Sequence, residues 1–300
     1  MPELPESMVV VGSGAIGSEF AYIYATMGVK VTIVEYMPQI MPLEDEDTAK
    51  AMERAFRKLR ATVMTSTTVK QVTVREDGKC DVEIEGKKGA QTLEADIVLS
   101  AVGIKSNIED MGLEELGIEI ERDKIKVDEH FKTSVDGVYA IGDIVATPAL
   151  AHVASAEAIH CVEHICGLSP EPIDYSTIPS CIFTSPEVAS VGMTEAQVKA
   201  QVKAQGIEYK VGKFPYTASG KATAAGERDG FVKLIFDAEE KLLGAHFVGH
   251  NVTEMIGEPT LAKVLGVNAH RIARTIHAHP SMHEAVMEAA EDALGCAIHM

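Results

Sequence analysis

Residues Met8 to Glu35 read MVVVGSGAIGSEFAYIYATMGVKVTIVE. Met8–Val11 is a short apolar run, the length of one buried strand. Gly12, Gly14 and Gly17 follow with the spacing G-x-G-x-x-G, then Ser18–Met27 has helical composition and Gly28 stops it. Val29–Val34 is a second apolar run, and it ends in Glu35. Together these predict a strand, turn, helix and strand, the βαβ arrangement that binds a dinucleotide. Gly12 suits the tight turn, Gly14 lets the backbone approach a pyrophosphate, and Gly17 lets helix and strand pack closely. The helix start then offers free N–H groups and a positive dipole end to the phosphates. Glu35 stands where an acid accepts hydrogen bonds from the adenosine ribose and repels a 2′-phosphate. The residues after it, Tyr36-Met37-Pro38-Gln39, include no arginine, which favours NAD over NADP.

The chain has 300 residues, an apolar fraction of 46% and a net charge of −18, which suits two or three packed domains. That charge argues against a nucleic-acid backbone or an anionic membrane as the main partner. No apolar run reaches the length of a membrane span, and the start does not read as a signal peptide. Five cysteines, an odd and sparse set, fit a reducing cytoplasm.

Asp45–Leu59 carries Met52, Ala55, Phe56 and Leu59 at helical spacing. Val69, Val72 and Val74 begin strand-like material, Asp77-Gly78 is a turn signal, and Val82 and Ile84 alternate with acids, which predicts a small inserted hairpin. Asp96–Val102 reads as another buried strand, ended by Gly103. Ligands of open parallel sheets sit beyond such strand ends, so Gly103 is either a cofactor neighbour or a simple strand terminator. Gly137–Asp143, GVYAIGD, reads as a short strand, and Ala149–Cys166 as a helix. Asp143 is placed either to bind a ribose or ribityl hydroxyl or to cap a loop. From Ser176 on, strands at Ile178–Phe183, Val188–Val191, Tyr209–Phe214, Phe231–Phe236 and Gly244–Val248 mix with helices at Thr194–Gln205, Asn251–Leu265 and Ser281–Leu294. That is the texture of an α+β domain, and Thr194 with Gln197 is a capping-box start.

The motifs GSGAIGSE, AVGIKSN, YAIGD and LAHVASAEA occur in this order in the pyridine nucleotide–disulfide oxidoreductases, which the chain resembles over nearly its whole length. SPEVASVGMTEAQ, KFPYTASGKATAAGERDGFVKLIF, GHNVTEMI and IHAHPSMHEAVMEA resemble the dihydrolipoamide dehydrogenase branch most. The resemblance implies a Rossmann-like α/β NAD-binding domain over residues 1–103, the C-terminal part of an FAD-binding domain over 104–173, and a C-terminal α+β dimerisation domain over 174–300. It implies an enzyme that oxidises dihydrolipoamide with NAD through FAD and a redox disulfide. Its partners would be a second copy of itself and the lipoyl group of a 2-oxo acid dehydrogenase complex. The cofactor contacts it implies are Gly12, Ser13, Gly14, Ala15, Ile16, Gly17, Ser18 and Glu19 at the turn, with Glu19 near the nicotinamide, then Glu35, Val69 and Gly103. For the flavin they are Asp143, Ala149, Leu150, Ala151 and His152.

The family also carries an FAD-binding glycine fingerprint and a redox pair spaced C-x-x-x-x-C at its N-terminal side. Neither is in these residues, so the expectation is the C-terminal portion of such an enzyme, inactive alone and with an incomplete FAD site. Cys161 and Cys166 do have the spacing, but on a helix they point about 140° apart with a rise of about 7.5 Å, and a disulfide needs facing Cβ atoms. Both are expected to be buried small hydrophobes. The resemblance makes His279 the acid–base group and Glu284 its partner; a side chain titrating near neutrality with an orienting carboxylate suits that chemistry. Ser281-x-x-Glu284 is also a capping box. His277 and His283 stand close, but no Cys or Asp spacing supports a metal site. The alternatives are a non-catalytic NAD-binding, dimerising module and another NAD-linked member of the family.

Overall fold

The computed structural model describes residues 3–206 and 208–300. They form two compact units: the residues up to Val102 together with Pro179–Met300, and Gly103–Ile178.

The first unit begins with β1 (Ser7–Val11), α1 (Ala15–Thr26), β2 (Lys30–Val34), α2 (Glu46–Lys58) and β3 (Thr62–Met64). Then come β4 (Thr68–Val74), β5 (Cys80–Gly86), β6 (Gly89–Ala95) and β7 (Ile97–Ser100). The sheet runs β3-β2-β1-β7 with all pairs parallel, Val10 facing Ile33 on one side and Leu99 on the other. Such a sheet is covered on both faces, so β1 is a continuous apolar run, with Met8, Val9 and Val10 all buried. α2 is capped by Asp45, whose carboxylate accepts from Asp47 N–H, and it carries acids in its first turn and Arg57 and Lys58 in its last. Its Ala49, Met52 and Phe56 face the core. The expected hairpin is a three-stranded antiparallel sheet, β4-β5-β6. The extra strand, GAQTLEA, is exposed along most of its length, so it carries almost no alternation to read.

The second unit contains β8 (Ile120–Glu121), β9 (Lys124–Ile125) and α3 (Ala151–Ile165) around Ile108, Ile118, Ile125, Ala140 and Val145. The strand expected over Gly137–Asp143 does not form: Tyr139 makes one bridge, to Lys132, and Gly142–Ile144 is a 3₁₀ turn. An apolar run becomes a strand only with a ladder partner, and here the pairing is a single bridge, closed by Thr133 N–H on Val138 O and Ala140 N–H on Phe131 O. Cys166 lies just past the end of α3 and is exposed, contrary to its expected burial, whereas Cys161 is buried; both thiols are free.

The first unit resumes with β10 (Pro179–Ile182), β11 (Glu187–Gly192), α4 (Glu195–Gln205), β12 (Tyr209–Pro215), α5 (Gly220–Ala225), β13 (Phe231–Asp237) and β14 (Leu242–Gly249). It ends with α6 (Val252–Met255), α7 (Gly257–Val264), α8 (Ala269–Arg274) and α9 (Glu284–Ala293). The sheet is antiparallel in the order β10-β11-β14-β13-β12. Phe214, Leu234, Phe236 and Phe247 pack beneath Val286, Ala289 and Ala290 of α9. A Cβ on Gly212 would meet the Ala289 carbonyl oxygen at 1.8 Å, so glycine sets how closely α9 lies on β12. Thr194 and Gln197 close the expected capping box on α4. The single helix expected over Asn251–Leu265 is two, joined at Ile256. The last helix starts at Glu284, not Ser281.

Polar groups are buried where the parallel and antiparallel sheets of this unit meet. Lys233 Nζ on β13 lies 2.7 Å from Asp45, 3.0 Å from Asp47 and 2.7 Å from Glu195, with the lysine and Asp45 side chains each 1% exposed. Burial alone would lower the lysine's affinity for its proton, but the carboxylates outweigh it and hold the ammonium above the usual range. Asp45 also accepts from Glu195 N–H at 2.9 Å, so one carboxylate ties α2 to α4. Removing one member of such a network costs about 3–5 kcal/mol because its partners stay buried.

Next to it Glu44 is buried with one oxygen 3.2 Å from Ser190 Oγ and the other without a partner among the described residues. Burial raises this carboxyl from 4.5 to about 7 against the Ser190 bond, which lowers it. A folded-state value above the unfolded one means the native state holds the proton more tightly, so this group's contribution is most favourable at acid pH and is lost as pH rises toward 7. Glu44→Gln is expected to be neutral at about pH 3.5, below the carboxyl's unfolded value, and to raise thermal stability at pH 8. The gain is bounded by about 3.4 kcal/mol at 1.36 kcal/mol per unit. Calorimetric melts of both proteins at the two pH values measure it.

Candidate functional site

The turn after β1 is shaped by three glycines in different ways. Gly12 has φ +92°, and a Cβ there would stand 2.5 Å from the Ala101 carbonyl oxygen. A Cβ on Gly17 would stand 2.0 Å from the Gly12 carbonyl oxygen, so α1 touches the turn backbone to backbone. Gly14 has nothing within 4 Å of the same position. Two glycines are thus required by the protein's own packing, and the third faces open space at the start of α1. That start has Gly14 as its cap, no side chain bonded to its free amides and no acid in its first turn. It is an uncompensated positive end, suited to an anion.

Glu35 ends β2 and reaches back to this turn. Its Oε2 accepts from Ser13 N–H at 2.8 Å and from Ser13 Oγ at 2.6 Å, and its Oε1 accepts from Met37 N–H at 2.8 Å. Ser13 in turn holds Met41 through its carbonyl and its hydroxyl. The carboxylate therefore fixes the turn's shape, a second task that sequence reasoning missed; a polar residue between the first two glycines was the available signal. Ser18 Oγ closes the same turn on Ser13 O at 2.9 Å. Ala15 and Ile16 are exposed on the first turn of α1. Glu19, one turn along, accepts from Phe183 N–H at 2.9 Å. Val69 lies on β4 opposite Ile84 and packs with the cluster of Val9 and Val34.

Gly103 opens the second unit with φ +136°. There Asp143 exposes its carboxylate while its carbonyl accepts from Lys124 Nζ at 2.7 Å and Ser106 Oγ at 3.1 Å. Gly142 N–H is held by the fully buried Glu157 at 2.7 Å. Ala149, Leu150, Ala151 and His152 form the entry to α3, whose cap position, Leu150, has no side-chain acceptor. Between Asp143 and Ala149, Thr147 Oγ1 is buried with no partner among the described residues. A cavity of about 830 Å³ in this unit takes its walls instead from the 121–129 segment, Phe131, Thr147 and Tyr175.

His279 and Glu284 meet before α9, with Nδ1 to Oε1 at 2.8 Å. The other Glu284 oxygen accepts from Ser281 N–H at 2.8 Å. Glu284 thus bonds His279 with one oxygen and the Ser281 amide with the other. Burial raises this carboxyl, but the Ser281 and His279 bonds outweigh it and hold it below the usual range. Half of the expected capping box is missing, since Ser281 Oγ has no partner and the cap position is His283. The His279 side chain is 80% exposed, with Nδ1 engaged and Nε2 turned outward. Nearby, His277 Nε2 lies 2.7 Å from Glu258 and its Nδ1 2.9 Å from Thr275 O, a second pair that was not expected. Among the described residues, no three His, Cys, Asp or Glu side chains converge as metal ligands.

Residues 1–158 match the profile of the pyridine nucleotide-disulphide oxidoreductases, and residues 178–290 match the dimerisation domain of the same group. The chain is 47% identical over 296 residues to a dihydrolipoyl dehydrogenase of Chlorobaculum tepidum, covering 98% of this chain and 62% of that protein. It is 43% identical over 302 residues to one from Bacillus subtilis, covering 63% of it. The chain thus spans less than two thirds of the length of these relatives. The crystal structure of LpdA from Mycobacterium tuberculosis superposes with a TM-score of 0.85 at 28% identity, over 97% of this chain and 62% of that one. A copper complex of the HOCl-induced flavoprotein disulfide reductase RclA from Escherichia coli gives 0.88 at 25% identity, over 97% and 65%.

The turn geometry separates its glycines experimentally. Gly17→Ala forces backbone apart and is expected to destabilise the fold by about 3 kcal/mol or more, whereas Gly14→Ala, at φ −63° and in open space, costs about 1 kcal/mol as a lost glycine cap. Urea unfolding of both variants measures the difference.

Proposed function

The chain belongs to the pyridine nucleotide-disulphide oxidoreductase family, and we propose that it carries the NAD site, the acid–base pair and the dimer-forming surface of a dihydrolipoamide dehydrogenase. Members of this family work with a pyridine nucleotide and FAD. The observation that carries the reading is the glycine turn: two glycines are consumed by packing, and the third is left open beside an uncapped helix start. The dinucleotide phosphates would lie on the α1 amides, and Glu35 would accept from the ribose through the lone pairs left by its three present bonds. Glu19 would border the nicotinamide. The residues fit the group.

Residues 1–103 then form the NAD domain, 104–173 the part of the FAD domain in this chain, and 174–300 the dimerisation domain. The second unit fits a flavin at Thr147, whose orphaned buried hydroxyl stands in sequence between Asp143 and Ala149–His152. A bound flavin supplies the electron relay between a dithiol and NAD. His279 would hold the thiol proton of dihydrolipoamide at Nε2, oriented by Glu284 at Nδ1. α7 exposes Leu261 and Val264 on one face, continued by Leu265 just past its end, and Ile276 is 97% exposed, which supports a homodimer. The lipoyl group of a 2-oxo acid dehydrogenase complex is the substrate this reading assigns, and five free thiols suit the cytoplasm. Their separate placement, on β5, at α3, on β10 and near the C-terminus, also favours a second reading in which these residues alone bind NAD without redox chemistry.

Two measurements test this. Calorimetry is expected to show NAD binding at least about tenfold tighter than NADP, and Glu35→Ala to narrow that gap while weakening NAD as the Ser13 contacts go; equal affinities in the wild type would contradict the assignment. These 300 residues alone are expected to give no NADH from dihydrolipoamide and NAD. Co-expressed with the N-terminal portion of the Bacillus subtilis relative they gain turnover, which His279→Ala lowers about 100-fold or more.

A further inference from the structure

The segment from Ile276 to Pro280 presents His279, yet it has little backbone support. Among the described residues, every hydrogen bond made by 276–280 comes from two imidazoles, His277 and His279. The His279 bond runs to Glu284 at the start of α9. The His277 bonds run to Glu258 in the first turn of α7 and back to the Thr275 carbonyl.

The two histidines stand in opposite environments. The His277 side chain is 6% exposed, and both of its ring nitrogens face acceptors, a carboxylate and a carbonyl. A carbonyl can only accept, so Nδ1 carries a proton; an ionised Glu258 needs a second proton on Nε2. The two acceptors together favour the doubly protonated ring. The Glu258 bond is the largest influence raising its affinity for that proton, opposed by burial and helped at longer range by Glu284. His279 faces one acceptor at Nδ1 and leaves Nε2 outward, so it can take and release a proton there. One residue of the His-Ala-His sequence has both ring nitrogens engaged and the other keeps one nitrogen available.

We propose that His277, held by Glu258, is the positioning residue for His279. Its Nε2 bond to Glu258 pins the exposed segment to α7 and its Nδ1 bond to the Thr275 carbonyl fixes the ring on the chain just before it, which keeps His279 Nδ1 on Glu284 and Nε2 turned out as a lone-pair acceptor. The His277 ring also lies within electrostatic reach of Glu284 at the start of α9. The inference rests on reading His279 as the acid–base group.

Two-bond proton–nitrogen NMR spectra of the histidine rings in the 300-residue chain test it without substrate, because they distinguish imidazolium and the two neutral tautomers. In the wild type, neutral His279 is expected as the Nδ1–H tautomer, and His277 is expected to keep its second ring proton to a higher pH than in Glu258→Gln. Glu258→Gln is expected to turn neutral His279 into a mixture of both tautomers, with Glu258→Asp restoring the wild-type pattern in part. His277→Gln, checked by circular dichroism for an intact fold, should give the same mixed His279. A pure Nδ1–H His279 in folded Glu258→Gln and His277→Gln would overturn the proposal, as would a His277 that loses its second ring proton at the same pH in the wild type and in Glu258→Gln. Failure of the functional reading is separate: it appears as unchanged turnover of His279→Ala in the co-expressed enzyme, whatever the ring spectra show.

Discussion

Gly17 occupies a point where no side chain fits. Its missing Cβ would overlap the Gly12 carbonyl oxygen, and Gly12 in turn lies against Ala101 at the end of β7. This backbone contact draws α1 down onto the ends of the two central strands. The distance is set by hydrogen and carbonyl oxygen, so it tolerates no larger residue. With α1 so placed, its first amides and Gly14 face outward together, and Glu35 can reach Ser13 from the neighbouring strand. The anion-facing end is a consequence of how the strand and helix pack.

A second constraint lies deeper in the same unit. Lys233 comes from an antiparallel strand, yet its ammonium is neutralised by carboxylates of α2 and α4. A buried lysine without those partners would carry a large desolvation cost. The bonds are directional, so they fix α2 against β13 in one arrangement where an apolar contact would allow sliding. Asp45 serves both as the cap of α2 and as the acceptor for Lys233, and so links helix formation to the packing of the two sheets.

Local rules made much of this legible from the sequence. The glycine spacing, the apolar β1 and the Thr194 capping box depend on neighbours within a few residues, and they appear where expected. Other features depend on partners far along the chain. Lys233 in FVKLIF reads as one polar residue in an apolar strand, and nothing local names Asp45, 188 residues away, as its partner. GVYAIGD has the composition of a strand and lacks the ladder that would make it one. Cys166 follows α3 on the same outward side as the exposed Ile159 and Val162, a face whose apolar composition hides its exposure from a sequence reading. The His279–Glu284 pair was legible through resemblance, while His277–Glu258 joins α7 to a loop 19 residues away and left no periodic trace.

The central claim is that the turn at Gly12–Gly17 is the place where a dinucleotide's phosphates rest. Titrating NAD into the ¹⁵N-labelled chain while following backbone amide resonances tests it most directly. The account predicts saturable shifts concentrated at Ser13, Gly14, Ala15 and Ile16 and at the end of β2 around Glu35, with the amides of β12 and α9 unmoved. Saturable binding that leaves the Gly12–Gly17 amides in place and shifts another part of the chain would contradict it.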